Sequence, residues 1–328
     1  MSGPGERVDS PFQTVSETEY DQWDRYRMMI DAGVVAPLKV LLGDARGVFG
    51  LATVLIYVLA GTIGVMLIPA PEATGPVLQG PFQSLRYPLG TDRYGKGIFR
   101  LIVHATPAML KMITAGAVFT TLMATIVGTV SGYEGGRVDS ALMTISDTVL
   151  AVPGLPLIIV LASVFEPKDP FVVGLVISLP AWAGLARALR SEVLSLREES
   201  FVEASRINGF STLSIVRREL IPNLMPYITI NAVNSARRVI FSSVALYFLG
   251  ILGTSILNWG VMMNRAYNSV GALYTLDTAH WLIMPMLAII WLSFGLIMLG
   301  QAADKIFNPR LKARHAESTA DDPAVAEP

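Results

Sequence analysis

The sequence lacks cysteine altogether and has little histidine and little charge. None of its 328 residues is Cys and 3 are His, so disulfides, zinc–thiolate sites and iron–sulfur clusters are excluded and a catalytic metal centre is disfavoured. Charged residues make up 16% of the chain, whereas soluble domains usually carry about 25%. The formal net charge of −1 argues against a nucleic-acid-binding protein, which is normally basic. An ordinary soluble enzyme is therefore disfavoured.

Long uncharged segments account for the missing charge. A helix that crosses a bilayer needs about 20 predominantly apolar residues. Six segments qualify, namely 48–68, 112–133, 140–165, 171–190, 228–254 and 281–303. Their apolar runs are continuous rather than alternating, which excludes a strand barrel, and the first run follows too long a polar segment to be a cleaved signal peptide. We therefore predict an all-α, polytopic membrane protein with six transmembrane helices.

The distribution of Lys and Arg predicts the orientation of these helices. Basic residues are more frequent in the N-terminal segment, in loop 191–226 with its flanks and in the C-terminal tail than in the alternate loops. Because basic loops stay on the cytoplasmic side, we expect both termini in the cytoplasm and a multi-pass protein of the cytoplasmic membrane. The predicted organisation is a cytoplasmic segment 1–46, a first transmembrane helix 47–70, an extracytoplasmic loop 71–107, a five-helix core 108–305 and a cytoplasmic tail 306–328.

The cytoplasmic loop 191–226 has the pattern of two short helices joined at a glycine. Ser200 and Glu203 have the spacing of a capping box, which predicts a helix from Phe201 to about residue 208. Gly209 stands where a helix ends in a left-handed residue. Ser211 or Thr212 can cap a second helix, and Pro222 is expected to end it. We call this predicted unit the elbow. The side chains available for a docking face are Phe201, Ala204, Phe210, Leu213 and Val216.

The elbow also carries a motif. Glu203-Ala204-Ser205, then Gly209, then Ile221-Pro222 resembles the EAA loop of ABC importer permeases. Five further segments are similar to the second permease of dipeptide, oligopeptide and nickel importers: Tyr87–Asp92, Gly132–Gly136, Val193–Glu198, Phe248–Gly250 and Asn308–Leu311. The resemblance covers roughly residues 85–312. The sequence departs from the motif at Ser205, where Ala is usual, and at Glu219 and Ile221, where Ile and Leu are favoured.

The resemblance implies a type I ABC importer permease fold and a set of partners. The expected partners are a homologous second permease, two ATPase subunits, an extracytoplasmic substrate-binding protein and the lipid bilayer, with no nucleic acid. ATP and Mg²⁺ would be bound by the ATPases, so no cofactor, metal or catalytic residue is expected in this chain. The residues expected to couple to the ATPases are Glu203, Ala204, Ser205, Gly209, Phe210, Leu213, Ile221 and Pro222.

Polar residues within the apolar segments are candidates for the translocation pathway. Arg237 and Arg238 cannot face lipid cheaply, so they face the pathway, a partner or the cytoplasm, or extend to the inner headgroups. Asn231 and Asn234 precede them and can line the same route, and Ser243 stands where relatives often have Glu. Asp147, in the third segment, is either satisfied near the inner interface or part of a proton relay.

Other readings of the sequence are weaker. The segment Gly90–Lys96 is nearly a Walker A motif, but Gly97 follows where a Ser or Thr is required. An ion-coupled secondary transporter predicts inverted repeats, which the sequence lacks, and a membrane enzyme predicts clustered His or acids. Pro153, Pro156 and Pro180 predict breaks in the third and fourth segments. Peptides are the expected substrate class, with oligosaccharides or nickel as alternatives within the family.

Overall fold

The computed structural model describes residues 36–307, which form helices with no strand beyond the isolated bridge between Thr91 and Gly97. In chain order the helices are α1 Ala36–Leu42, α2 Ala45–Leu67, α3 Ile98–Glu134, α4 Gly136–Ala151, α5 Gly154–Phe165, α6 Pro170–Ser178, α7 Trp182–Leu196, α8 Ser200–Ile207, α9 Thr212–Ile215, α10 Ile221–Phe248, α11 Trp259–Val270 and α12 Leu276–Phe307. The all-α class is confirmed for these residues. Most of the predicted segment 1–46 and nearly all of 306–328 lie outside them.

Fewer than six of the described helices are long and apolar enough to count as membrane spans. Three described helices, α2, α3 and α12, are long and apolar enough to cross a membrane. The number rises to five when the bent pairs α4–α5 and α6–α7 each form one span. Helix α10 overlaps the predicted span 228–254, but it fails the same test of hydropathy because polar residues interrupt it. The prediction of six spans is therefore confirmed only in part.

Two of the three predicted proline breaks occur. The chain bends by 85° between α4 and α5 at Pro153, and by 56° between α6 and α7 around Pro180. Proline lacks the amide hydrogen that would continue the helix and clashes with the preceding turn. Pro156 bends nothing, because it lies in the first turn of α5, where no intrahelical amide bond is required.

Helix α3 is the centre of the fold, and its small residues allow neighbouring helices to approach closely. A Cβ on Gly174 of α6 would lie 2.3 Å from the carbonyl oxygen of Met112. A Cβ on Gly128 of α3 would lie 2.6 Å from the carbonyl oxygen of Ala186 on α7. Small residues at such crossings are characteristic of helix pairs in membranes, where close van der Waals contact replaces the hydrophobic effect. Replacing either glycine would therefore push α6 or α7 away from α3.

The segment between the predicted spans 228–254 and 281–303 contains a helix that the sequence did not predict. Helix α11 begins after Asn258, whose side-chain oxygen accepts a hydrogen bond from the amide of Val261 at 2.9 Å. Its first residue, Trp259, is fully buried, donates to the carbonyl of Ile102 at 3.3 Å and packs edge-to-face against Tyr57. Asn258 is a favoured N-cap residue and could have indicated the start of this helix from the sequence. The helix ties the region after α10 to α2 and α3.

Candidate functional site

The elbow has the two short helices joined at a glycine that its sequence predicts. Helix α8 ends with Gly209 in the left-handed region, at φ +75°, as expected for a helix stop. The amide of Gly209 donates to the carbonyl of Arg206 at 3.0 Å, and the amide of Phe210 to the carbonyl of Ser205 at 3.2 Å. Ser211 then caps α9 by accepting a bond from the amide of Ser214 at 3.4 Å.

The predicted capping box does not form. Glu199, rather than Ser200, is the N-cap of α8, and no side chain satisfies it. The amides of Val202 and Glu203 bond instead to the carbonyl of Glu199, at 3.0 and 3.2 Å. Ser200 is the first helical residue, one position later than the motif requires, so its hydroxyl does not cap the Glu203 amide.

Pro222 does not end the second helix of the elbow, which corrects the sequence prediction. Helix α9 continues through the π-helical segment Val216–Leu220 directly into α10, and Pro222 lies in the first turn of α10. A proline is tolerated there because the widened turn before it needs no amide at that position. The side-chain amide of Asn223 donates a hydrogen bond to the backbone carbonyl of Glu219, at 2.7 Å. The elbow is thus continuous with α10.

The elbow has two opposite apolar faces. Its inner face packs with α3 and α7 and is nearly inaccessible; it consists of Val202, Ile215, Val216 and Leu220. Its outer face is exposed and consists of Phe201, Ala204, Ile207, Phe210 and Leu213, with Ile207 and Leu213 exposed by 79% and 76%. Val216, predicted for the outer face, belongs to the inner one. The sequence analysis did not include Ile207 in the docking face, although its place as an apolar residue two positions before the helix-ending Gly209 could have indicated it.

Two residues that depart from the EAA motif are bonded to each other. The hydroxyl of Ser205 donates to a carboxylate oxygen of Glu219 at 3.3 Å, across the angle between α8 and the π-helical segment. Ser205 is 8% exposed, so an unbonded hydroxyl there would be costly. The family's usual Ala would offer no donor to Glu219. The two departures therefore compensate for each other in this chain.

Three of the motif segments meet beside the elbow. A cleft of about 560 Å³ is lined by residues from the end of α3, the end of α7 and α8, namely Tyr133, Glu134, Arg197, Glu198, Glu203 and Arg206. Arg197 donates to the carbonyl of Gly132 at 3.2 Å, and the guanidinium of Arg206 lies over the Tyr133 ring at 5.9 Å. Segments 132–136 and 193–198 thus support the helix that carries Glu203. Glu203 is exposed to solvent in this cleft.

The candidate pathway residues divide into two groups. Asn231, Asn234 and Arg238 line one cavity of about 210 Å³ between α7 and α10. Arg237 lines a second cavity of about 470 Å³ with residues of α2 and α12, and Asn234 borders both cavities. Ser243 lines neither, since it is fully buried and its hydroxyl donates to the carbonyl of Ile240 at 3.0 Å. Only three of the five candidates therefore share one cavity.

Asp147 has a basic partner. It forms an ion pair with Arg187 of α7, and both side chains are 54% exposed. Two turns earlier on α4, Asp139 binds Arg190 through two hydrogen bonds of 2.5 Å and also accepts one from Ser131. The two carboxylates are eight residues apart on α4, and the two arginines three residues apart on α7. Both acids thus hold α4 against α7.

The near-Walker segment is a packed loop. Gly90 and Gly95 have φ values of +82° and +73°, and Thr91 is buried, accepting from the amide of Gln79 at 2.9 Å. Asp92 accepts from the amides of Tyr94 and Lys96, each at 2.8 Å. Burial nevertheless raises the pKa of Asp92 above its usual value, outweighing these amides. Within residues 36–307 no group of three or more His, Asp or Glu could hold a metal ion.

Comparison with known sequences places these features in a transport family. The family of binding-protein-dependent transport system inner membrane components matches residues 124–313. The chain is 29% identical to the dipeptide transport system permease protein DppC of Bacillus subtilis, over 68% of each sequence. It is 29% identical to the oligopeptide permease protein OppC of the same organism, over 68% of this chain and 72% of OppC. DppC of Alkalihalophilus pseudofirmus is 26% identical over 84% of this chain and 89% of DppC.

The apolar helices and the match to a family of transport components together put this chain in the class of membrane transport subunits. More particularly, because the match covers more than half of its length, the chain belongs to the family of binding-protein-dependent transport system inner membrane components. It is therefore a membrane-embedded permease component of an ABC transporter, in a family of membrane subunits that are not themselves enzymes.

Proposed function

We propose that this chain forms half of the translocation pathway of an importer for dipeptides or oligopeptides and is driven by ATPase subunits that bind the elbow. Its partners would be a second, homologous permease, two ATPases that hold ATP and Mg²⁺, and an extracytoplasmic binding protein. The permease class rests on the family match. The proposal of a peptide substrate rests on the names of relatives that are 26–29% identical to this chain. Oligosaccharides and nickel are the alternative substrates.

The observation that carries the coupling proposal is the pair of opposite faces on the elbow. The inner face is buried among α3 and α7, so a force on the elbow is transmitted to those helices. The outer face presents Phe201, Ile207, Phe210 and Leu213 on a short, rigid helix pair, as expected of a helix that docks in a groove of another protein. Because α9 continues into α10, movement of the elbow would also move α10.

The proposed topology has six spans and cytoplasmic termini. Helix α10 supplies the sixth crossing, and its polar residues are tolerated there because they line cavities rather than lipid. This arrangement puts the elbow and the ends of α2 and α12 that carry Arg46 and Lys305 on the cytoplasmic side, in agreement with the distribution of basic residues.

The proposed solute contact is the cavity lined by Asn231, Asn234 and Arg238. Two amides and a guanidinium together can bind the carboxylate and the peptide groups of a small peptide. The cavity lies between α7 and α10, the two helices joined by the elbow, so elbow movement would change its width. Arg237 and Ser243 take no part in this contact, given where they lie.

The coupling proposal is tested by Leu213→Glu. A carboxylate on the outer face cannot enter an apolar groove, and the substitution leaves the inner packing untouched because Leu213 is 76% exposed. We expect the amount of ATPase that co-purifies with the permease to fall about tenfold. Leu85→Glu, at a fully exposed apolar residue in the loop before α3, is the matched control. Undiminished co-purification and substrate-stimulated ATP hydrolysis in Leu213→Glu would disprove the assignment of the outer face.

A further inference from the structure

Three basic side chains from three helices meet at one cavity. Arg46 lies in the first turn of α2, Arg237 lies midway along α10 and Lys305 lies near the end of α12. All three line the cavity of about 470 Å³ introduced above. We propose that this cavity, which we call the basic cavity, binds the headgroup phosphate of an anionic phospholipid. The proposal depends only on the membrane location of the chain and is independent of its substrate and of its ATPase contact.

Arg237 supplies the first argument. Its Nε is buried and has no hydrogen-bond partner among the residues that the structure describes. An arginine donor that is removed from water and left without an acceptor is costly, by more than a neutral donor would be. A phosphate oxygen satisfies such a donor, because the guanidinium presents several N–H groups in a plane that matches phosphate geometry. A phosphate held in the cavity would bring an acceptor next to the guanidinium of Arg237, which lines it.

The balance of charge supplies the second argument. Lys305 is paired with Asp44 at 2.5 Å, whereas the guanidinium of Arg46 donates to the neutral Gln301 at 3.3 Å and only its backbone amide donates to Asp44, at 3.0 Å. Within residues 36–307 neither Arg46 nor Arg237 forms an ion pair. Asp304 is the one carboxylate among the lining residues. Among the described residues the basic cavity thus keeps a net positive charge, with Arg46 on α2 and Arg237 on α10 outside any ion pair.

The lining of the cavity favours a phospholipid over a small anion. The apolar part of the lining consists of Ile230, Val233 and Ile297, together with Gly300. Arg46 and Lys305 border the uncharged runs of α2 and α12, which places them at the level of the membrane interface. Apolar walls beside cations at this level suit a molecule with a phosphate and acyl chains. Basic pockets between membrane helices on the cytoplasmic side are known to hold anionic headgroups.

A thermal-shift titration of the full-length protein in detergent tests the proposal. The probes are short-chain phosphatidylglycerol, short-chain phosphatidylcholine and inorganic phosphate, and the variants are Arg237→Gln and Arg46→Gln. Arg137→Gln, an exposed arginine at the start of α4, removes the same charge on the same predicted side of the membrane and is the control. Lipid retained through purification, counted by native mass spectrometry, gives a second readout that needs no unfolding transition.

We expect phosphatidylglycerol to stabilise the wild-type protein at lower concentrations than phosphatidylcholine does. Each of Arg237→Gln and Arg46→Gln should weaken the effect of phosphatidylglycerol by about fivefold or more, and Arg137→Gln should not. Because Arg46 is exposed, Arg46→Gln should fold even if Arg237→Gln does not. Equal effects of the two lipids, equal loss in the control, or full protection by inorganic phosphate alone would overturn the proposal.

Discussion

Gly209 illustrates how a single residue sets the geometry of the elbow. A Cβ at this position would meet nothing within 4 Å, so no steric contact requires glycine there. The backbone does require it, because φ is +75° and an L side chain is strained in that region. The glycine therefore determines the angle between α8 and α9, and through it the spacing of Phe201 and Leu213 on the outer face.

We expect Gly209→Ala to destabilise the elbow by about 1 kcal/mol, because alanine must adopt the left-handed conformation. Amide hydrogen exchange over residues 200–215 should accelerate accordingly. Gly209→Asn should have a smaller effect, since asparagine tolerates this conformation. Gly154→Ala is the control: it is equally open but has no positive φ. An unchanged exchange rate in Gly209→Ala would show that the angle has another origin.

Asp92 should make stability depend on pH. Its pKa in the folded protein lies above the ordinary value of 3.8 because the side chain is buried. The folded state therefore binds its proton more tightly than the unfolded state, and stability should fall as pH rises from about 3.8 through the raised pKa. Asp92→Asn keeps an acceptor oxygen for Tyr94 and Lys96 and should flatten this part of the profile. Unfolding temperatures measured from pH 4 to 7 for both proteins provide the test.

At the scale of the element, two ion pairs join α4 to α7 in different surroundings. The side chains of Asp139 and Arg190 are 17% and 29% exposed, and the carboxylate is also bonded to Ser131. Asp147 and Arg187 are each 54% exposed. Removing one partner of a charge pair that is shielded from water is costlier than removing one partner of an exposed pair, because it leaves a lone charge away from water. The Asp139–Arg190 pair should therefore be the stronger connection between the helices.

We expect Asp139→Asn to reduce the free energy of unfolding by about 2 kcal/mol and Asp147→Asn by less than about 1 kcal/mol. Each asparagine preserves the size of the side chain, so the comparison isolates the charge. Unfolding followed by tryptophan fluorescence measures both, with Arg187 and Arg190 left in place. A larger loss in Asp147→Asn than in Asp139→Asn would contradict this prediction. It would indicate that lipid or a partner subunit shields Asp147 and Arg187 from water.

At the scale of the whole molecule, the absence of cysteine makes the topology directly measurable. Leu85→Cys, Lys168→Cys and Leu213→Cys each introduce one thiol, at residues that are exposed in the structure. If α4–α5 and α6–α7 each cross the membrane, residues 85 and 168 lie outside and residue 213 inside. A membrane-impermeant maleimide should then label the first two thiols in intact cells and the third only after permeabilisation.

The thiol at residue 168 distinguishes crossing from re-entry. A re-entrant α4–α5 pair would return the chain to the side from which it came and leave Lys168→Cys unlabelled in intact cells. Labelling of Leu213→Cys in intact cells would reverse the proposed orientation of the elbow. The native protein contains no thiol, so it serves as the blank for all three variants.

The sequence alone determined the helical class, the position of the elbow and its stop at Gly209, and the breaks at Pro153 and Pro180. These features depend on local backbone chemistry and on runs of apolar residues, which can be read along the chain. The family resemblance, carried by motifs with set spacing, was likewise available before the structure and is confirmed by the comparisons.

Only the tertiary structure decided which side chains share a site. It placed Arg237 and Arg238 in different cavities, because consecutive residues on a helix point about 100° apart. It paired Ser205 with Glu219 and Asp147 with Arg187, and it let Pro222 continue a helix behind a π-helical segment. These outcomes depend on contacts between residues that are distant in sequence and on the backbone just before a proline. A periodic pattern does not encode either, which is why the elbow could be predicted from the sequence and the grouping of the polar residues could not.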